Sequence, residues 1–169
     1  MHILILDSGV NYKHPRLQGE NIEGYGLLYD EIQGSCRQVD DIDDEIGHGT
    51  AVYDLIRTGC PGASLKMVKV FWKEIEITEK ALSMALSWLY EQENPDILNL
   101  SLGVTCCQEP KRLYDLCRKF RERGTIILSA FDNSGAVSYP AAFDCVYGVM
   151  GDAGIRRVQE VVFLKDSYV

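Results

Sequence analysis

What this chain has little of narrows its function before any motif is read. It contains no CxxC, and no cysteine–histidine spacing of the kind that closes around zinc, so no metal site is expected. No apolar run approaches the roughly 20 residues that a membrane-spanning helix requires. The first residues, MHILILDSGV, lack a basic leader region and meet an aspartate after a short apolar run, which is not a signal-peptide pattern. Cations are scarce: 17 Lys and Arg stand against 25 Asp and Glu, a net charge of −8. With no basic stripe to meet phosphates, a nucleic-acid partner is not expected. The turn after the first apolar run, DSGVNYKHP, has one glycine and neither a GxGxxG pattern nor a Walker lysine, which sets aside a nucleotide-binding domain. The six cysteines, without a signal peptide, read as free thiols in a reducing, cytoplasmic setting, Cys106 and Cys107 being loop residues.

What is present describes one ordinary domain spanning residues 1–169. The 46% hydrophobic and 25% charged content is that of a globular chain able to bury a core. Five short apolar runs read as strands: residues 2–6, 65–71, 96–100, 125–130 and 145–150. They are nearly continuous in Val, Ile and Leu, as in parallel strands covered on both faces. Between them lie helical patterns. Residues 78–93 repeat Leu82, Leu86 and Leu89 at helical spacing. Residues 110–124 carry a stripe of Leu113, Leu116, Cys117 and Phe120 between Pro110 and Gly124. A third helix is expected through AVYDLIR, after GHGT. The alternation specifies an α/β fold of three layers, helices on both sides of a mostly parallel sheet.

In such sheets ligands sit beyond the carboxyl ends of the strands. Three of those ends carry small polar turns: Asp7-Ser8-Gly9, Ser101-Leu102-Gly103, and Phe131-Asp132-Asn133-Ser134-Gly135. Of only three histidines, His2 reads as a strand-edge residue and His14 as a turn residue before Pro15. His48 stands between Gly47 and Gly49 in DDEIGHGTAV, where the flanking residues let backbone or ligand approach closely.

These blocks, in this order, resemble the subtilisin-like serine proteases. ILDSGVNYKHPRL is similar to the family's aspartate strand, and DEIGHGTAV to its D-x-x-G-H-G-T block. GCPGASLKMVKVF is similar to the segment feeding the next strand, and ILNLSLG to its substrate-binding segment. SAFDNSG followed by SYPAAFDCVYGVMG is similar to its asparagine loop and Tyr-Pro-Ala block. The resemblance covers nearly the whole chain. It implies that Asp7 and His48 are two members of a catalytic triad. It further implies that Asn133 is a side-chain donor of the oxyanion hole, and that Ser101, Leu102 and Gly103 pair with an extended peptide or protein substrate. Family members often bind calcium through loops, but the acidic run Asp40, Asp41, Asp43, Asp44 and Glu45 is read as a solvated face, so no cofactor is expected.

Three departures stand out. The Gly-Thr-Ser motif that supplies the family's nucleophile does not occur, and Ser134, Ser138 and Ser167 lack its surroundings, so the chain alone is expected to be inactive. Tyr53 and Asp54 replace small residues on the histidine helix. Phe131-Asp132 replaces Ala-Gly before the asparagine. Two functions follow: part of a serine endopeptidase, directed at a precursor or leader peptide, or a peptide-binding module that does not cut. A sheet ending after about five strands is expected to leave an apolar flank exposed.

Overall fold

Residues 3–6 place an apolar side chain toward each side of the sheet in turn, and that alternation divides the core. The computed structural model describes residues 1–151; the expectation about Ser167 lies outside the described residues, as does the end of the expected domain. The first strand, β1 (His2–Asp7), sends Leu4 and Leu6 to one face and Ile3 and Ile5 to the other. All four are buried, so the middle of the strand is apolar at every position because it is covered twice.

Six further strands and three helices follow: β2 (Glu23–Asp30), β3 (Ser35–Val39), α1 (His48–Gly59), β4 (Ser64–Lys69), α2 (Glu79–Gln92), β5 (Ile97–Leu100), α3 (Pro110–Glu122), β6 (Ile126–Ala130) and β7 (Tyr147–Val149). The sheet order is β3-β2-β4-β1-β5-β6-β7, with every pairing parallel except β2 with β3. The chain leaves β1 toward β4 on one side and later returns to β5 on the other. The central strand therefore sits at the crevice where the crossovers diverge, the usual ligand position of such sheets.

The helices cover the two faces as the periodicity requires. Leu82, Leu86 and Leu89 of α2 and Leu113, Cys117 and Phe120 of α3 pack with Leu4, Leu6, Leu98 and Leu100. Tyr53 of α1 packs with Ile3, Ile5 and Met67 on the opposite side, which makes three layers. Thr78 caps α2 by accepting from the Ala81 amide at 3.0 Å. The Glu79 carboxylate in turn accepts from the Glu109 amide at 2.9 Å just before α3, where Pro110 opens the helix. No helix among the described residues is long and apolar enough to cross a membrane.

Two elements differ from the expectation. The hairpin of β2 and β3 was not legible, because its strands are short of Val and Ile and interrupted by Gly24 and Gly26. Those glycines are there for room: a Cβ would stand 2.4 Å from the Met67 carbonyl oxygen at Gly24 and 2.6 Å from that of Asp41 at Gly26. At the other edge, β7 is shorter than residues 145–150, and its three residues are all exposed rather than covered on both faces.

Candidate active site

The carboxyl end of β1 delivers Asp7, and the start of α1 delivers His48. His48 is itself the first residue of that helix, not a residue ahead of it. Its Nδ1 lies 2.7 Å from Asp7 Oδ1. Asp7 is fully buried, whereas the His48 side chain is 39% exposed, so one edge of the imidazole is held inside and the other faces outward. The same Asp7 Oδ1 accepts from the Ser8 amide at 2.7 Å. Burial raises the Asp7 carboxyl above its ordinary range, against the lowering effect of its hydrogen bonds with His48 and Ser8.

The two glycines beside His48 do different work. Gly47 has φ +92°, a left-handed conformation that favours glycine, and open space around it. Gly49 lies against the loop after β1, so close that a Cβ would stand 2.3 Å from the Gly9 carbonyl oxygen and 3.1 Å from Asp7 Oδ1. The approach of aspartate and histidine thus depends on a missing side chain.

The acidic run is the solvated face expected of it except at Asp44. Asp40, Asp43 and Glu45 are exposed, but Asp44 is only 7% exposed. Its Oδ1 accepts from the Ser8 hydroxyl at 2.8 Å and the amides of Ile46 and Gly47 at 3.0 and 2.8 Å. Its Oδ2 accepts from the Thr50 amide at 2.9 Å and the Thr50 hydroxyl at 2.6 Å. Asp44 therefore supplies the N-terminal cap of α1 that Gly47, without a side chain, cannot. Burial pushes its carboxyl up, but the bonds from Thr50, Gly47 and Ser8 outweigh burial and hold it below the usual range. Asp41 faces a cation: Lys69 Nζ is 3.4 Å from Asp41 Oδ1, donates to the Asp43 carbonyl at 2.6 Å and lies 4.5 Å over the Trp72 ring.

The departures on the histidine helix are absorbed locally. Tyr53 is buried in the smaller core cluster, and Asp54 accepts from Arg16 Nε at 2.6 Å and Arg57 Nη2 at 2.9 Å.

A second cluster gathers at the ends of β5 and β6. Ser101 is half-buried and its hydroxyl accepts from Asn99 Nδ2 at 2.9 Å. Leu102 is buried, and its carbonyl accepts from the Ser129 hydroxyl at 3.0 Å. Gly103 is exposed, yet a Cβ there would meet the Ala130 carbonyl oxygen and Ser138 Oγ, each at 3.1 Å. Ser138 is fully buried and accepts from the Asp132 amide at 3.0 Å. Val104 and Tyr139 exchange backbone hydrogen bonds of 2.8 and 2.9 Å, the Tyr139-Pro140 peptide being cis. Asn133 is exposed at the tip of the turn that Asp132 closes by accepting from the Ser134 amide at 2.8 Å and from the Ser134 hydroxyl. Phe131 fits because β7 has Gly148, where a Cβ would stand 2.4 Å from Phe131 Cε2. Asp7 with His48, and Ser101–Gly103 with the Asn133 turn, share the carboxyl edge of the sheet; no hydrogen bond among the described residues joins the two groups.

The sequence model of the subtilase family matches residues 1–153. The chain belongs to the subtilase family. Among solved structures, it is similar in fold to a lanthipeptide protease at 19% identity and a TM-score of 0.68, over 88% of this chain and 47% of the other. It is similar to the epidermin leader peptide processing serine protease from Staphylococcus aureus at 18% identity and a TM-score of 0.64, over 88% and 45%. A psychrophilic protease matches at 27% identity and a TM-score of 0.62, over 88% and 52%. The chain thus spans about half the length of these subtilase-like structures. No curated protein matches it by sequence.

Missing from the sequence reading were Ser8 and Thr50, which sit inside the quoted blocks but bind the loops rather than a substrate. No local signal marked them: Asp44 and Thr50 stand six residues apart, twice the spacing of a capping box.

Proposed function

We propose that this chain carries the aspartate–histidine part of a subtilisin-like serine endopeptidase that hydrolyses peptide bonds through an acyl-enzyme. The observation that carries the reading is the 2.7 Å contact from His48 Nδ1 to a fully buried Asp7 at the sheet's carboxyl edge. In this reading Asp7 holds the Nδ1–H tautomer and stabilises the imidazolium. The other ring nitrogen takes the proton of an attacking serine hydroxyl as its oxygen bonds to the scissile carbonyl carbon. The same proton then passes to the departing amine, and water releases the acyl group by the reverse route. Asn133 donates to the oxyanion of the tetrahedral intermediate. Ser101, Leu102 and Gly103 pair with the substrate backbone as an added strand. The similar folds include a leader-peptide-processing protease, which supports a peptide precursor as the substrate class.

The hydroxyl itself is the part that the described residues do not offer. Ser8 donates to Asp44, Ser134 to Asp132, and Ser138 is buried at the foot of Gly103. The second reading is a subtilase-like module that holds an extended peptide along Ser101–Gly103 without cutting it.

A serine-directed phosphonate probe, applied to the protein from its native host with intact-mass detection, separates the two. Labelling of a species heavier than 19.0 kDa, abolished by His48→Ala, is the expected result. Silence toward the probe with retained peptide binding overturns the peptidase reading and leaves the module.

A further inference from the structure

We infer that Asp44, acting through the Ser8 hydroxyl, is a positioning residue that fixes the imidazole of His48 against Asp7. The inference rests on the reading of Asp7 and His48 as a working pair. An ordinary helix cap needs only a carboxylate and the first amides, and Asp44 has these in Gly47 and Thr50. Its bond to Ser8 goes beyond capping, because Ser8 belongs to another element, 36 residues away along the chain. The Ser8 oxygen is used in both directions. It donates its proton to Asp44 at 2.8 Å and accepts from the Gly49 amide, next to His48, at 2.8 Å. Its own backbone amide points to Asp7 Oδ1 at 2.7 Å, the oxygen that also takes His48 Nδ1.

The result is a closed circuit. Asp44 grips the residues on both sides of His48 through Ile46, Gly47 and Thr50, and grips the residue after Asp7 through Ser8. The Thr50 hydroxyl adds a second tie, accepting from the Asn11 amide at 2.9 Å in the same loop after β1. Direction is fixed as well. An ionised Asp44 can only accept, so the Ser8 proton must point toward it and away from Asp7. The Asp7 Oδ1 lone pairs are left to the Ser8 amide and the imidazole. Buried bonds to a charged acceptor are the stronger kind, which suits a clamp on a group that must not drift.

The test reads the Asp7–His48 bond directly and needs no cleavage, so failure of the peptidase reading leaves its result unaffected. In protein labelled with 15N-histidine, three imidazoles are visible, and the wild type is expected to show one far-downfield, slowly exchanging Nδ1 proton from His48, absent in His48→Gln. Ser8→Ala and Asp44→Asn are expected to speed its exchange with water by about fivefold or more, as loss of one hydrogen bond would, and Ser8→Thr to restore it. Leu89→Ala, which opens the distant core on the α2 face, is expected to lower the melting temperature and leave the resonance in place. An unchanged proton in both Ser8→Ala and Asp44→Asn overturns the inference, as does equal loss in Leu89→Ala or the absence of the resonance from the wild type.

Discussion

His48 and Asp7 meet at 2.7 Å although 41 residues separate them, and the contact joins the start of a helix to the end of the central strand. One partner is fully buried and the other is open on its far edge, so the pair can pass a proton outward while its inner bond is kept dry. The physical demands of that arrangement lead to four expectations.

Asp7→Asn should stabilise the fold at neutral pH. Burial holds the Asp7 carboxyl above its ordinary value of 3.8 in the folded chain, so ionised Asp7 opposes folding at higher pH. Below that ordinary value both folded and unfolded forms are protonated and the penalty disappears. An asparagine keeps an oxygen for Ser8 and His48 and carries no charge. Thermal melts from pH 7 down to about pH 3 should show a higher melting temperature for the variant at pH 7 and convergence with the wild type in acid. A lower melting temperature for Asp7→Asn at pH 7 contradicts this account.

Gly49→Ala and Gly47→Ala should differ although the residues are two apart. At Gly49 the added methyl meets backbone at 2.3 Å, which cannot move aside, and a loss of about 1–3 kcal/mol or more is expected. At Gly47 nothing lies within 4 Å, and only the left-handed φ of +92° is penalised, by about 1 kcal/mol. Urea titrations of the two variants give the comparison, and equal losses would mean that close approach is not what Gly49 is for.

Phe131 and Gly148 should be energetically coupled. Gly148→Ala alone forces a methyl into the Phe131 ring and is expected to cost about 1–3 kcal/mol. In a Phe131→Ala background the same methyl still faces the Ala141 carbonyl oxygen at 2.6 Å, so only part of the cost should vanish. A double-mutant cycle should return a coupling of about 0.5 kcal/mol or more; additivity of the two changes would count against the contact.

Asn133→Ala should separate chemistry from folding. The residue is exposed and its side chain is in no hydrogen bond among the described residues, so its melting temperature should hardly move. Under the proposed peptidase reading, loss of an oxyanion donor is expected to lower kcat by about 100- to 1,000-fold with little change in KM. Steady-state kinetics on a peptide substrate provide the check, and a KM effect with unchanged kcat would reassign Asn133 to substrate binding.

Much of the fold was readable because burial leaves a local mark. The run from Ile3 to Leu6 is apolar at every position because both faces of β1 are covered, and Leu82, Leu86 and Leu89 keep helical spacing because one side of α2 is buried. The β2–β3 hairpin left no such mark. Its glycines answer to Met67, Asp41 and Trp72, residues far away in the chain. Asp44 was misjudged for a similar reason: five acidic residues in a row of six positions look alike, and only the approach of Ser8 and Thr50 selects one of them for burial.

By itself the sequence determined the layered α/β architecture and the order of the blocks at the strand ends, and its resemblance to a family singled out Asp7, His48, Ser101–Gly103 and Asn133 as candidates. Periodicity and turn chemistry are local properties, so a linear reading can recover them. Tertiary structure alone decided which aspartate of the acidic run is buried and which is salt-bridged to Lys69, that Ser8 ties the loop after β1 to the start of α1, and that Phe131 is housed by Gly148. Each of these depends on atoms brought within a few ångströms from distant parts of the chain, where desolvation and directed hydrogen bonds first take effect.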